Sequence, residues 1–493
     1  MFKKILIANR GEIAVRIIRT CREMGIQATA VYSKADVAAA HVLEADEAVL
    51  LGESEPHKSY LNIDRVLEAA EKTGADAIHP GYGFLAENPH LAERCEKSGI
   101  TFIGPPARVI RDLGNKTLAR TIMKKAGVPV IPGMLEATTD PAVLQEEADR
   151  MGYPVLIKAV AGGGGKGMRV VYERGEMREA CLSAMSEAEK AFGDGSCYLE
   201  KCLESSRHVE FQILADQHGH AVHLFERECS IQRRHQKIIE ETPSPAMTPS
   251  LQEAMGKAAV SAALASGYVN AGTVEFLLEP SGGFYFLEVN TRLQVEHPIT
   301  EMTTGIDLVR QQLEIASGNP LAFSQQDITR NGHAMECRIY AEDPEADFFP
   351  SPGPVLFYRG PSGPGVRNDS GIYGGFEVPV DYDPILGKLI VMAETREAAR
   401  TRMIRALESY AVLGIRTIIP FLIDVLKSSE FMEGATYTDF IDRNFREWTQ
   451  DTDDATVARI AYVVHESTSV KKPPAARDTG LPTPWETLGE WRI

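Results

Sequence analysis

With 493 residues the chain is too long for one ordinary domain, and at about 100–200 residues apiece it should fold into two to four. Hydrophobic residues (44%) and charged residues (25%) stand in the proportion of globular proteins, which excludes a disordered or fibrous chain. The net charge of −17 excludes nonspecific binding to nucleic acid or to an anionic membrane, because either needs a basic face; any anionic ligand has to be held by a local cluster of cations.

No apolar run approaches the roughly 18 residues needed to span a bilayer. Met1-Phe2-Lys3-Lys4 precedes only a short apolar run without a small-residue cleavage site, so this segment is expected to be a strand of a cytoplasmic protein. The seven cysteines form no CxxC pair and are expected to be reduced thiols, which argues against structural zinc.

In chain order, residues 5–8 predict a strand, Asn9-Arg10-Gly11 a turn, and Ile13, Val15, Ile17 and Ile18 a helix that ends near Gly25. A second strand is expected at 28–32, a helix at 63–72, and strands at 77–79 and 101–104. Residues 1–115 are thus expected to form a βαβ domain on a parallel sheet, without GxGxxG after its first strand. Gly104-Pro105-Pro106 punctuates its end, and the helix expected at 116–126 places Leu118, Ile122 and Met123 on one inward face. Residues 116–204 should supply a linker and a lid, with strands at 154–160 and 168–172 and a helix at 176–192. A larger α+β region is expected over 205–447, and an appended tail over 448–493 with Lys471-Lys472-Pro473-Pro474. The fold class is a mixture of α/β and α+β.

Ala161-Gly162-Gly163-Gly164-Gly165-Lys166-Gly167 formally contains GxGxxG, yet the strand expected after it contradicts a dinucleotide site. Such glycines let backbone N–H groups close around phosphate oxygens and let a loop work as a lid; a flexible hairpin turn is the alternative. Lys116 and Lys158 can add point charges to the same phosphates, although either alone reads as a surface lysine.

Residues 272–290 put strand-like runs on both sides of Pro280-Ser281-Gly282-Gly283. With Ser281-Gly282 as the loop, Glu275 falls opposite Glu288 and Thr273 opposite Asn290, so Glu275, Glu288 and Asn290 share one face. Two carboxylates about 5 Å apart repel by about 3 kcal/mol at an effective dielectric near 20. The arrangement therefore asks for a cation, and oxygen-only ligands point to Mg2+ or Mn2+ shared with substrate phosphates; a solvated acidic pair is the alternative. Thr291-Arg292-Leu293-Gln294-Val295-Glu296-His297-Pro298 then sets a cation and a further carboxylate beside that metal, as an acid–base site requires. Glu226-Arg227-Glu228-Cys229-Ser230-Ile231-Gln232-Arg233-Arg234-His235-Gln236-Lys237 supplies a local basic cluster, unless it is a solvated charge run.

Taken together with Ala8-Asn9-Arg10-Gly11-Glu12-Ile13-Ala14, His79-Pro80-Gly81-Tyr82-Gly83-Phe84-Leu85-Ala86-Glu87-Asn88, Glu336-Cys337-Arg338-Ile339 and Tyr382-Asp383-Pro384-Ile385-Leu386-Gly387-Lys388, these motifs resemble the biotin carboxylases of the ATP-grasp class over about residues 1–445. The resemblance implies a pre-ATP-grasp domain, a lid and a larger catalytic domain. It implies that Lys116, Lys158, the loop with Gly163, Gly164, Gly165, Lys166 and Gly167, and His235 bind ATP phosphates, while Glu200, Lys201, Leu203, His208 and Gln232 surround adenine and ribose. Glu275 and Glu288, with Asn290 beside them, would hold the metal. Lys237, Arg292, Gln294 and Val295 would position bicarbonate, Glu296 would take its proton, and Arg338 would stabilise the biotin enolate. The implied partners are a biotin carboxyl carrier protein that presents biotin in trans, a second copy of the chain, and a carboxyltransferase subunit. Phe348 and Ala86 depart from the usual leucine and serine without removing a charge. Another ATP-grasp ligase, or a non-catalytic ATP-binding regulator, is the competing expectation; Arg292, Glu296 and Arg338 argue against both.

The lone Met-Lys pair, Met123-Lys124, lies in an expected helix, and the tail has only Lys471 and Lys472, followed by prolines. The chain is therefore expected not to carry biotin itself.

Overall fold

The computed structural model describes residues 1–134, 136–160, 167–203, 205–234, 236–450, 457–459, 461–463 and 465, in two units, Met1–Trp448 and Thr449–Ile493. Within the second unit, 457–459 and 461–463 are helical. Trp448 belongs to the first unit and not to the tail: its ring meets Phe421 edge-on at 5.4 Å and its indole N–H donates to Asp424 at 2.8 Å.

Five parallel strands open the first unit: β1 (Lys4–Ile7), β2 (Gln27–Ser33), β3 (Glu47–Gly52), β4 (Ala77–His79) and β5 (Thr101–Phe102), in the spatial order β3-β2-β1-β4-β5. Ile5, Leu6, Ile7, Val31 and Ile78 are buried because helices cover both faces of such a sheet. The strand order reverses between β1 and β4, and the chain leaves both at their C-terminal ends, where ligands of open α/β sheets bind. Asn9 closes that point by donating to the carbonyls of Pro80 and Tyr82, each at 2.7 Å. A Cβ on Gly81, at φ +62°, would meet the Asn9 amide at 2.8 Å, so this crossing needs glycine.

The helix Lys116–Lys125 forms as expected, but its inward face carries Ala119 and Met123 with Arg120, while Ile122 is half-buried and Leu118 is 41% exposed. The helix packs along the 119/123 line against helix Pro249–Ser266, and Leu118 lies about 100° around the axis from Ala119. Strands β6 (Val155–Ala159), β7 (Met168–Val171) and β8 (Cys197–Lys201) form a small antiparallel sheet, β7-β6-β8. Helices Pro141–Met151 and Met177–Phe192 enclose its core of Leu144, Val155, Ile157, Met177 and Cys181.

The largest sheet has eight antiparallel strands. In order they are β13 (Phe284–Asn290), β12 (Asn270–Leu278), β9 (Arg207–Ala215), β10 (Ala221–Arg233), β11 (Gln236–Thr242), β14 (His333–Tyr340), and the strands Ile385–Ala393 and Val366–Ser370. Met335, Cys337, Leu389 and Val391 enter one core, while Ala334 and Ile390 meet Ile299 of helix His297–Thr304 in another. Strand alternation therefore sends Glu336 and Arg338 to the side of that helix.

Candidate active site

A charged row crosses the sheet. Glu288 of β13 lies opposite Glu275 of β12, Glu275 opposite Glu210 of β9, and Glu210 opposite Arg227 of β10. The Glu275–Glu288 pairing is the expected one, but it is reached differently. The connection runs from Glu279 to Gly283 and is not a Ser281-Gly282 turn, so near the loop Leu278 pairs with Phe284 and Phe276 with Phe286. A bulge that leaves Leu287 as the extra residue then brings Glu288 opposite Glu275 and Asn290 opposite Thr273.

Like charges in such a row are tolerable only with cations between them. Lys237 of β11 donates to Glu210 at 2.6 Å, Glu275 at 2.9 Å and Glu296 at 2.7 Å. Arg227 donates to Glu210 at 2.6 Å from behind, and the His208 ring nitrogen stands 3.0 Å from the other Glu275 oxygen. Burial would weaken the Lys237 charge, yet the three carboxylates raise its affinity for the proton. Burial likewise disfavours ionised Glu275, but Lys237 and His208 outweigh it and hold the carboxyl below its usual range. Glu288 is pushed up, first by burial and then by Glu275. This is a carboxylate short of positive charge, and the donor set suits a hard divalent cation.

Glu296 is completely buried at the N-terminal end of helix His297–Thr304. Arg338 donates to it at 3.0 Å and to Glu240 at 2.7 Å. Burial opposes its charge, but Lys237, Arg338 and Arg227 keep it ionised well below the usual carboxylate range. Arg292 is spread over four acceptors: Glu87 at 2.9 Å, Gln294 at 2.8 Å, Asn290 Oδ1 at 2.9 Å and the Leu293 carbonyl at 3.3 Å. Gln294 in turn donates to Glu275 at 3.1 Å.

These groups border a cavity of about 1070 Å3 at the switch point of the parallel sheet. Lys116, Lys158, Glu200, Lys201, Leu203, His208, Gln232, Lys237, Glu275, Glu288, Asn290, Arg292, Gln294, Val295 and Arg338 all line it, from the three-stranded sheet, the eight-stranded sheet and the segments beside them. Glu296 does not line it and lies beneath Lys237 and Arg338. On the roof Lys158 pairs with Glu200 at 2.5 Å, and Arg120 holds the same carboxylate. Burial lowers the Lys116 pKa. The Lys201 ammonium is spent on the carbonyls of Gly152 and Tyr153, at 2.9 and 3.1 Å, so its contribution to the cavity is stem and backbone. Gly167, at φ +72°, accepts from Ala159 N, and a Cβ there would approach the Ala159 Cβ to 2.8 Å; this glycine closes the β6–β7 hairpin. Gly163, Gly164, Gly165, Lys166 and His235 lie outside the described residues.

Glu210 and Glu240 were not expected at the site, while Arg227 was expected only as part of the basic run 226–237 and Glu87 only as part of the motif 79–88, neither with a role. The polar alternation His208, Glu210, Gln212 along an otherwise apolar buried strand is the signal that marks Glu210. Glu240 carries no local signal. Cys21, Cys95, Cys181, Cys197, Cys229 and Cys337 are buried thiols. Among the described residues no helix is long and apolar enough to cross a membrane.

Such a site can assemble anions on fixed cations and accept a proton at a dry carboxylate, as a ligase acting on phosphate and carbonate oxygens requires. Comparison with known proteins agrees. Residues 1–110 match the biotin carboxylase N-terminal domain, 115–324 the ATP binding domain of the carbamoyl-phosphate synthase L chain, and 336–443 the biotin carboxylase C-terminal domain. The chain is 57% identical over 442 residues to a pyruvate carboxylase subunit from Methanothermobacter thermautotrophicus, covering 90% of both chains. It is 53% identical over 441 residues to biotin carboxylase 2 of Bacillus subtilis, covering 90% of this chain and 99% of that one. Its fold matches the biotin carboxylase domain dimer of Hydrogenobacter thermophilus 2-oxoglutarate carboxylase, in complex with MgADP, ADP and bicarbonate, with a TM-score of 0.88 and 47% identity over 92% of this chain and 99% of that one. The chain belongs to the biotin carboxylase family, ATP-dependent ligases that carboxylate biotin.

Proposed function

We propose that this chain carboxylates biotin on a separate carrier protein at the expense of ATP and bicarbonate. The observation that carries the proposal is the buried Glu296 carboxylate, gripped by Lys237 and Arg338 under a cavity lined by further cations. ATP phosphates lie against Lys116, Lys158, the Gly163–Gly167 loop and His235, with the nucleoside among Glu200, Lys201, Leu203, His208 and Gln232. Glu275 and Glu288, with Asn290 alongside, hold Mg2+ or Mn2+, which neutralises the phosphate oxygens during transfer. Lys237, Arg292, Gln294 and Val295 seat bicarbonate. Glu296 takes the bicarbonate proton, the freed oxygen attacks the γ-phosphorus, and carboxyphosphate and ADP result. Carboxyphosphate splits into CO2 and phosphate; phosphate removes the ureido proton of biotin, Arg338 stabilises the enolate, and the nitrogen attacks CO2.

Biotin arrives in trans on a carboxyl carrier protein, and a carboxyltransferase subunit selects the final acceptor, whether pyruvate or an acyl-CoA. The working form is a homodimer in the cytoplasm. ATP cleavage by the full chain should require bicarbonate and rise with free biotin; cleavage indifferent to bicarbonate would sink the proposal. Intact mass after coexpression with a biotin ligase should show no biotin adduct.

A further inference from the structure

The segment Tyr382–Lys388 contributes a buried charge that the mechanism leaves without a role. Lys388 is fully buried in the strand Ile385–Ala393, beside Arg338 of β14 in register. Its ammonium donates to the Val295 carbonyl at 2.7 Å. Glu12, on the first helix, stands 3.4 Å away, and the Tyr82 ring centre 5.5 Å away.

Removing an ammonium from water costs several kcal/mol unless close partners compensate. The carboxylate is the looser of the two polar contacts, and burial pushes Glu12 up to about 7 although Lys388 pulls it down. The short contact is the one to the backbone of the turn that precedes Glu296. The adjoining Gln294 carbonyl is held in the same way, 2.6 Å from the Nδ1 of His297. Burial, followed by Lys388, Arg16 and Arg367, keeps that imidazole neutral, so Nδ1–H is the donor. Two successive carbonyls are thus pinned from inside the protein, while Gln294 and Val295 border the cavity.

We propose that Lys388 is a positioning residue of the bicarbonate subsite: it fixes the Val295 carbonyl, and through Glu12 and Tyr82 ties the 294–296 turn to the N-terminal domain. This inference rests on the placement of bicarbonate against Arg292, Gln294 and Val295. A hydrogen bond from a charged group held in this geometry sets the position of the whole peptide. Its loss should therefore weaken the ligand seated there, not the nucleotide.

The test compares Lys388→Met with Lys388→Met/Glu12→Gln, which removes both buried charges and leaves neither unpaired. In the full chain, both should raise the KM for bicarbonate at least about tenfold, with ADP affinity within about twofold of wild type. An unchanged bicarbonate KM in the folded double variant would overturn the role of Lys388, as would an equal loss of ADP affinity. Arg292→Ala separates the two claims. If it raises the bicarbonate KM and the Lys388 variants do not, only the positioning role falls; if it does not, the bicarbonate placement falls and the inference with it.

Discussion

On the floor of the cavity Lys237 meets three carboxylates within 2.9 Å, and Arg338 ties one of them to Glu240. On the roof Lys158 meets Glu200 across two neighbouring strands of one small sheet. The floor gathers residues 210, 237, 275, 296 and 338 from strands and a helix entry distant in the chain, so each charge is held by others that do not move with it. The roof pair sits in a three-stranded sheet with its own core, and among the described residues a single outside group, Arg120, reaches it. A grip built from many remote elements is preorganised for chemistry, whereas one built locally can serve binding without fixing the reacting atoms.

If this contrast holds, Glu296→Gln gives the largest effect: a folded protein with bicarbonate-dependent carboxylation of biotin lowered at least about 100-fold. Near-normal turnover would remove Glu296 from the role of base. Next is Glu288→Gln, which keeps size but deletes an anionic oxygen; the Mg2+ requirement should rise at least about tenfold, with Glu275→Gln similar. Magnesium titrations that match wild type in both would break the link between the opposed carboxylates and the metal. On the roof, Lys158→Gln should weaken ATP binding about tenfold while turnover at saturating ATP changes little. A loss of turnover as deep as that of Glu296→Gln would erase the distinction between floor and roof.

The smallest change is expected in the pH dependence of stability. Burial pushes Glu240 up to about 7 against the pull of Arg338, from an ordinary value of 4.5. Between those values the folded chain keeps a proton that the unfolded chain has released, so stability falls as pH rises through the window, by up to about 1.4 kcal/mol per pH unit. Urea midpoints of Glu240→Gln measured across this range should fall less steeply than those of wild type; parallel profiles would show that Glu240 is not protonated there.

The parallel order of the first hundred residues was legible because Ile5-Leu6-Ile7 and Ala77-Ile78-His79 are short apolar runs between helical periods. Leu118 shows the limit of periodicity. The helix exists, but which stripe faces inward depends on the helix Pro249–Ser266 that it meets. The hairpin is subtler: alternation placed Glu275 and Glu288 on one face, yet the shorter turn assumed there and the bulge at Leu287 cancel, so the right pairing came from two compensating departures.

What the sequence determined by itself was the set of chemical groups and their local spacing: the opposed carboxylates, the Arg292–Glu296 turn, the basic run ending at Lys237 and the motifs that resemble biotin carboxylases. Only the tertiary structure decided how those charges are neutralised. It placed Glu210 and Glu275 on the same ammonium, joined Glu240 to Glu296 through Arg338, and set Lys388 behind Val295. The physical reason is that side-chain type and period are properties of neighbours in the chain, whereas a buried charge is stabilised by whatever lies within a few ångströms in space. In an eight-stranded sheet those partners come from residues far apart in sequence, and no local pattern records them.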